Sequence, residues 1–233
     1  MRLRNAGNQG VVYVEFLIVI VPLLILVMSL IQLGLIYGAE LLVETSAHLA
    51  VRSAVVILPD DKADYAGVGV NQIGTGHGLE AYRKAPRGSR IDLIRRAAAV
   101  PLLSLGLGAG AVARFAIGQS TLSDALKPGG IAAALSAQAL GLVPVAVTLP
   151  DGKGRYRTSV GETERITARV TFLFPCLVPI ASSVVCSTFS GLPSDRRAEL
   201  ETAGRIVDLA KASAGRFVAL VAERSMVNQG RER

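Results

Sequence analysis

The amino-acid sequence predicts an α+β protein: one long N-terminal helix, transmembrane and then amphipathic, followed by an exported head with a β-hairpin and further helices. Three observations predict this class. Residues 16–39 form an apolar run without a charge. Helical periodicity continues beyond that run as far as Leu58. Apolar and polar residues then alternate over residues 164–174, which is the period of a half-buried strand.

Composition supports an anchored domain. Hydrophobic residues make up 51% of the 233-residue chain, charged residues only 18%, and the mean hydropathy is +0.45. Much of the apolar excess lies near the N-terminus, and the remainder is long enough to bury a core of its own. The predicted organisation is a basic leader over residues 1–10, a membrane helix and amphipathic stem over 11–58, and an exported α+β domain over 59–233.

The apolar run has the length of a membrane span. A helix over residues 16–39 rises by about 1.5 Å per residue and crosses the roughly 30 Å hydrocarbon core. Arg2 and Arg4 precede it, so we expect a single-pass protein with a cytoplasmic N-terminus and an exported C-terminal part. The run is longer than the core of a secretory signal peptide and no convincing cleavage site ends it. A plain signal anchor remains the main alternative.

The stem continues as an amphipathic helix, which we predict to extend over residues 12–58. The residues of its apolar stripe are Val43, Ala47, Ala50, Val51, Ala54, Val55 and Leu58. The residues of its charged side are Glu40, Glu44, His48 and Arg52. Glutamates four positions before basic residues support the helix by a few tenths of a kcal/mol. Pro59 and the two aspartates that follow it end the helix.

One carboxylate, that of Glu15, stands at the mouth of the apolar run, five residues after Gly10. Cleavage after Gly10 would free the amine of Val11, and Glu15 of one subunit would pair with that amine on a neighbour. Assembly would then pair the carboxylate with the amine, two charges that are each unfavourable in lipid when unpaired. In a simple anchor, the same carboxylate would only reach out to the membrane surface. Phe16, directly after Glu15, is assigned with it to assembly.

Three further residues of the apolar run bear on helix packing. Pro22 removes one backbone hydrogen bond, so we expect a kink or local unwinding there. Gly34 and Gly38 form a GxxxG pattern, which permits close approach of a second membrane helix. The same pattern also arises often by chance.

The N-terminal quarter of the chain resembles the TadE-like pseudopilins of tight-adherence (Flp-type) pilus systems. The similarity covers about residues 7–56. The residues that carry it are Gly10, Val14-Glu15-Phe16, Pro22, Tyr37 and the alanine-rich stretch over 47–54. The resemblance implies processing by a prepilin peptidase and a minor, structural role in assembling a pilus or related secretion system. It also implies a pool in the bacterial inner membrane, with the head periplasmic or extracellular. The implied partners are other pilins or pseudopilins, the inner-membrane assembly platform and membrane lipid.

The first part of the head is predicted to be irregular. Residues 59–88 are rich in glycine and charge and read as a long loop or a poorly ordered segment. Ser89 is placed to N-cap a helix that runs to about Leu105 and ends in a glycine-rich turn. A second membrane span over residues 97–113 is a weaker alternative. Another helix is predicted over residues 131–140.

The second part of the head is predicted to begin with a β-hairpin. Its strands are residues 143–149 and 164–174, and its turn is Pro150-Asp151-Gly152-Lys153-Gly154. Apolar periodicity after Ser194 predicts a C-terminal helix to about Ser225. Cys176 and Cys186 lie outside the anchor, so an oxidising compartment would join them in a disulfide, which stabilises by about 3 kcal/mol.

The residue types argue against catalysis. The chain has two histidines and no CxxC spacing, so we expect no metal and no cofactor. No catalytic triad is indicated, and the paired acids (Asp60/Asp61, Glu162/Glu164 and Glu199/Glu201) are expected to be solvated. We therefore predict a protein that is not an enzyme.

A basic cluster offers the alternative function. It consists of Arg83, Lys84, Arg87, Arg90, Arg95 and Arg96. With a net charge of +7, it favours a single-pass, membrane-anchored periplasmic domain that binds an anionic partner. Because no aromatic residues alternate with these bases, no specific nucleic-acid partner is expected.

Overall fold

The computed structural model describes residues 9–74, 76–116, 145–176, 178, 186–203 and 216–228. These residues form a mixed helix and sheet structure. The α-helices are α1 (Gln9–Ile57), α2 (Leu79–Arg83), α3 (Arg90–Ala116) and α4 (Ser194–Leu200). The strands are β1 (Val145–Thr148), β2 (Arg165–Pro175), β3 (Ser187–Thr188) and β4 (Arg216–Val227). Short 3₁₀ turns lie at Lys62–Asp64, Phe189–Gly191 and Glu201–Ala203. The helix predicted over residues 131–140 lies outside the described residues.

The long helix predicted from the sequence is confirmed. α1 runs without interruption for 49 residues and ends two residues before Pro59. Val43, Ala47 and Ala50 of the predicted stripe are buried. Glu40, Glu44, His48 and Arg52 of the predicted charged side are exposed. The amphipathic period therefore determined which side of the helix packs on the head.

The predicted hairpin is also confirmed, as β1 and β2. They pair antiparallel, with Val145 opposite Phe172 and Thr148 opposite Arg169. In the turn between them, Asp151 accepts hydrogen bonds from the backbone N–H groups of Lys153 and Arg155. Gly154 adopts φ +76°, a left-handed conformation that side chains disfavour. Local turn chemistry and strand alternation therefore specified this hairpin correctly.

The predicted C-terminal helix from Ser194 to about Ser225 is wrong in its last part. Among the described residues, Ser194–Leu200 is α-helical, but Arg216–Val227 is the strand β4, and residues 204–215 lie outside the described part of the chain. β4 pairs antiparallel with β2 along its whole length, between Arg165↔Val227 and Pro175↔Phe217. This pairing satisfies the second edge of β2 and completes a sheet of order β1-β2-β4-β3. The apolar residues of β4 fit the period of a helix as well as that of a strand. Because strand pairing satisfies the otherwise free backbone groups of β2, this segment forms a strand.

The sheet has two unlike faces because side chains alternate along β2. Ile166, Ala168, Val170, Phe172 and Phe174 join the main core with α1 and α3. On the other face, Leu173 packs in a smaller cluster with three residues that follow the disulfide loop. Those three are Phe189, Leu192 and Leu200. α1 and α3 thus cover one face, while α4 and its neighbouring turns cover the other.

α3 lies antiparallel against α1 and is longer than predicted. The Arg90 guanidinium at its start donates to the Ile57 carbonyl, and Ser46 of α1 donates to the Ala98 carbonyl further along. The helix does not end near Leu105 but continues to Ala116, through three glycines. Each helical glycine costs about 1 kcal/mol relative to alanine, so this extension runs against local propensity.

The predicted Ser89 side-chain cap is wrong. The buried Ser89 hydroxyl makes no hydrogen bond within the described part of the chain. Asp92 instead accepts the Gly88 N–H at 2.8 Å. A carboxylate in the first turn also interacts favourably with the helix dipole, so α3 is capped from Asp92.

The segment 59–88 is mostly loop, as predicted, but it contains α2 and a 3₁₀ turn, and several of its described residues are packed in the core. Tyr65, Ile73 and Tyr82 are buried in it. The Tyr82 hydroxyl donates to the Arg157 carbonyl and accepts the Leu149 N–H at 3.2 Å. Specific long-range contacts of this kind replace regular secondary structure as the source of order in this segment.

Candidate functional site

α1 divides into two segments with different surroundings. In the lower segment, residues 13–31, most side chains are exposed, although every residue except Tyr13, Glu15, Pro22 and Ser29 is aliphatic, Met or Phe. In the upper segment, residues 32–57, one side is buried in the core. The lower segment has 19 residues and is about 28 Å long, close to the thickness of a hydrocarbon core. α1 is therefore long and apolar enough to span a membrane.

Gly10 and Val11 are helical residues of α1, whose described part begins at Gln9. Processing at the bond between them stays a prediction.

Glu15 is exposed on the lower segment, between Val14 and Phe16, which is itself 60% exposed. Within the described part of the chain, its carboxylate makes no hydrogen bond and no ion pair. A charge in apolar surroundings is costly unless it is paired. The predicted assembly residues Glu15 and Phe16 are therefore available to another molecule.

Pro22, Gly34 and Gly38 lie on parts of α1 that the described part of the chain leaves uncovered. α1 is helical through Pro22, which is exposed, so the predicted local unwinding is not seen. A methyl group added at Gly34 or Gly38 would meet no atom within 4 Å from another part of the described structure. Within the described residues, the two glycines therefore do not pack on the head.

A polar residue in the apolar stretch, Gln32, marks the boundary between the two segments. Its side chain is fully buried, and Oε1 accepts the Val178 N–H at 3.1 Å. Val178 lies in the loop closed by the disulfide Cys176–Cys186, which is formed as predicted. The sequence interpretation did not use Gln32, although an amide inside a 24-residue apolar run was a visible signal.

The predicted basic cluster does not form a single surface. Arg90 is buried, and its guanidinium donates to backbone carbonyls that include those of Asp60, at 2.8 Å, and Gly69, at 3.2 Å. It also lies 4.4 Å from the centre of the Tyr65 ring. Burial lowers the pKa of Arg90. This side chain satisfies carbonyls around the C-terminal end of α1 and is not offered to a ligand.

The other members of the cluster are also largely engaged within the chain. Arg95 donates to the Tyr82 carbonyl at 2.7 Å, and burial lowers its pKa to about 10. Arg96 pairs with Asp92 at 2.9 Å, and Lys84 pairs with Glu80 at 3.4 Å. An anionic partner therefore has less positive charge to bind than the sequence indicated.

The predicted solvation of the pair Glu199/Glu201 is wrong for Glu199, which is fully buried. Its carboxylate accepts hydrogen bonds from Thr171 at 2.7 Å, Arg169 at 2.7 Å and Tyr156 at 3.0 Å. Burial, and then the charge of Glu199, raise the pKa of Tyr156 to about 12. Burial opposes the charged form of Arg169, but hydrogen bonds to Glu199 and Glu223 outweigh it and raise the pKa.

This network fastens α4 to the outer face of the sheet. Both oxygens of the Glu199 carboxylate accept hydrogen bonds from donors of the same chain, Oε1 from Tyr156 and Arg169 and Oε2 from Thr171. Local sequence could not reveal it, because Arg169 and Glu199 are 30 residues apart. The described residues contain no group of three or more potential metal ligands.

Comparison of the chain with protein-family models, with curated proteins and with solved structures finds no match. The functional interpretation therefore rests on the residues and their geometry.

Proposed function

We propose that this chain is a minor pseudopilin-like subunit, processed after Gly10, that acts in the assembly of a tight-adherence pilus or a related secretion system. The observation that carries the proposal is the position of Glu15. This carboxylate lies on an uncovered apolar helix and has no partner within the described part of the chain. A single anchor does not require such a charge, whereas an assembling helix does.

The proposed partner of Glu15 is the amine of Val11 on a neighbouring subunit. Processing would create that amine at the level of the membrane where the carboxylate stands. Bringing the two together replaces two unfavourable charges by one hydrogen-bonded pair, and the gain is available only through assembly. The charges would thereby fix the axial register of neighbouring helices.

The two segments of α1 support a subunit with two states. The lower segment has the length of a bilayer and an apolar surface on all sides, so it is suited both to lipid and to other apolar helices. The upper segment is fastened to the head. In this proposal the subunit waits in the inner membrane and then packs with pilins or pseudopilins at the assembly platform.

The proposed topology has a cytoplasmic N-terminus and an exported head. Arg2 and Arg4 precede the span, which favours this orientation. The disulfide Cys176–Cys186 is suited to an oxidising compartment such as the periplasm. The subunit works by assembly and performs no turnover.

Processing is tested by sequencing the N-terminus of the protein purified from its native host. The proposal expects Val11 as the first residue, and a host strain without its prepilin peptidase provides the control, in which Met1 or Arg2 is expected. A mature protein that retains the leader in the presence of the peptidase would show that the chain is a simple anchor.

The role of Glu15 is tested with Glu15→Ala, using Glu40→Ala as the matched control. Both glutamates are exposed on α1, but Glu40 lies in the upper segment. Membrane insertion and processing should be unchanged in both variants. Assembled filaments or secreted product should fall about tenfold or more for Glu15→Ala alone, which corresponds to about 1.4 kcal/mol of lost pairing. Equal assembly by the two variants would contradict the pairing role.

A further inference from the structure

We propose that a pocket between β3 and α4 binds a small molecule through a phosphate group, and that Arg197 recognises the charge of that group. The pocket has a volume of about 450 Å³ and is lined by residues of β3, of α4 and of the 3₁₀ turns that follow each of them. This volume lies within the usual range of small-molecule sites and exceeds what a lone inorganic anion needs. None of the lining residues belongs to α1, so the site goes beyond the proposed function.

A packed cluster holds the pocket lining in place. Phe189 lines the pocket and is itself buried in the smaller cluster of the outer sheet face, with Leu200 of α4. Ser194 and Arg197 are three residues apart on α4, so helical periodicity brings both to the same side of the helix. The pocket is therefore formed on regular elements that are anchored from below.

The guanidinium of Arg197 lacks an acceptor. Its Nε is buried, and within the described part of the chain the guanidinium makes no hydrogen bond and no ion pair. The preceding residue, Arg196, differs, because its guanidinium pairs with Asp195 at 3.5 Å and with Glu199 at 3.4 Å. A buried donor without an acceptor is unfavourable, so an anionic group in the pocket would satisfy Arg197.

Hydroxyl groups supply further donors to the same pocket, from Thr188, Ser190 and Ser194. The hydroxyl oxygens of Thr188 and Ser190 are 3.1 Å apart, so one O–H donates to the other and the second O–H is free to donate outwards. Phosphate oxygens accept hydrogen bonds from several directions and match the planar fork of a guanidinium. A phosphate group therefore suits this set of donors.

Glu201 limits the charge of the ligand. Its side chain lines the same pocket as Arg197, so the two charges balance among the described lining residues. A multiply phosphorylated anion would be repelled by this carboxylate, whereas a ligand with one phosphate group and further hydroxyls would be tolerated. The class that we infer is a phosphate ester of glycerol or of a similar small polyol. A soluble ester and a phospholipid headgroup share this chemistry.

The site is tested on the full-length protein in neutral detergent micelles with two probes, glycerol 3-phosphate and phosphatidylglycerol. Arg197→Gln removes the proposed recognition group. Arg196→Gln is the matched control, since it removes the same charge from the same helix but does not line the pocket. Isothermal titration calorimetry measures the soluble probe, with glycerol as the phosphate-free comparison, and native mass spectrometry measures retained lipid. Far-UV circular dichroism verifies the fold of each variant.

We expect wild type and Arg196→Gln to bind at least one probe, and Arg197→Gln to bind it at least tenfold more weakly. Retention of phosphatidylglycerol alone would identify a lipid headgroup as the ligand, and binding of glycerol 3-phosphate would identify a soluble ester. Equal weakening in the two variants would reveal a non-specific charge effect and overturn the inference, as would binding of neither probe by wild type. If Arg197→Gln does not fold, Arg197→Lys keeps the charge without the planar fork and should also bind more weakly than wild type. Unchanged binding by that variant would overturn the inference.

Discussion

The lower and upper segments of α1 are parts of one continuous helix, yet they differ in what surrounds them. The upper segment has an apolar stripe and a charged side, and the head buries the stripe. The lower segment is apolar all round, and the described part of the chain leaves most of it exposed. A helix that is apolar on every side needs apolar surroundings on every side. The difference teaches that α1 is built for two environments: the head surrounds one side of the upper segment, and the lower segment is apolar enough to suit a membrane.

The largest expected effect comes from placing a carboxylate on the buried side of the upper segment. Ala50→Asp buries an unpaired carboxylate at a position without exposure, and it should cost more than about 4 kcal/mol and prevent cooperative folding of the head. Val56→Asp, at a position 67% exposed, should cost less than about 0.5 kcal/mol. Urea unfolding in detergent micelles, followed by circular dichroism, measures both.

The same charge in the lower segment should act differently. Leu24→Asp should leave the unfolding free energy of the head within about 0.5 kcal/mol of wild type, because Leu24 is exposed in the described structure, but it should reduce membrane insertion. If Leu24→Asp unfolded the head as Ala50→Asp does, the two segments would not be separate environments.

A smaller effect is expected where the upper segment ends. Arg90→Leu removes the donors that satisfy carbonyls of Ile57, Asp60 and Gly69, and the orphaned groups should cost about 3 kcal/mol in the free energy of unfolding. The control is Arg87→Leu, a nearby exposed arginine, with an expected cost below about 0.5 kcal/mol. Equal midpoints in urea for the two variants would refute a capping role for Arg90.

The smallest effect is expected at the ion pair between Glu44 of the upper segment and Arg224 of β4, whose charged atoms are 3.0 Å apart. Both side chains are about half exposed, so the coupling free energy should be below about 1 kcal/mol and should decrease with salt. A double-mutant cycle with Glu44→Gln and Arg224→Gln measures it. A coupling well above this range that persists in 1 M salt would show that the helix is held to the sheet by charge and not by its apolar stripe.

Much of the fold was predictable where local patterns are unambiguous. Neighbouring residues alone determine the period of α1, the alternation in β2 and the turn at Asp151–Gly154. The disulfide was predictable because each of the two cysteines has one possible partner. The candidate site was predictable in the same way, because Glu15 is conspicuous among apolar neighbours. Its proposed partner, the amine of Val11, belongs to a neighbouring molecule.

The predictions that were wrong share a physical cause. Phe217 and Leu220 of β4 fit a helical stripe as well as a strand, and the open edge of β2 decided between them. Glu199 and Arg90 resemble surface charges in the sequence, but distant donors and carbonyls made burial favourable.

The sequence by itself determined that an apolar helix of membrane length continues into an amphipathic stem, because period and hydropathy are properties of neighbouring residues. It also determined that a lone carboxylate stands near the start of the apolar run. Only the tertiary structure decided that α1 becomes buried against the head from Gln32 onwards. It also decided that most residues of the basic cluster form hydrogen bonds or ion pairs within the chain. Burial and hydrogen bonding depend on groups that are far apart along the chain and meet only when it folds.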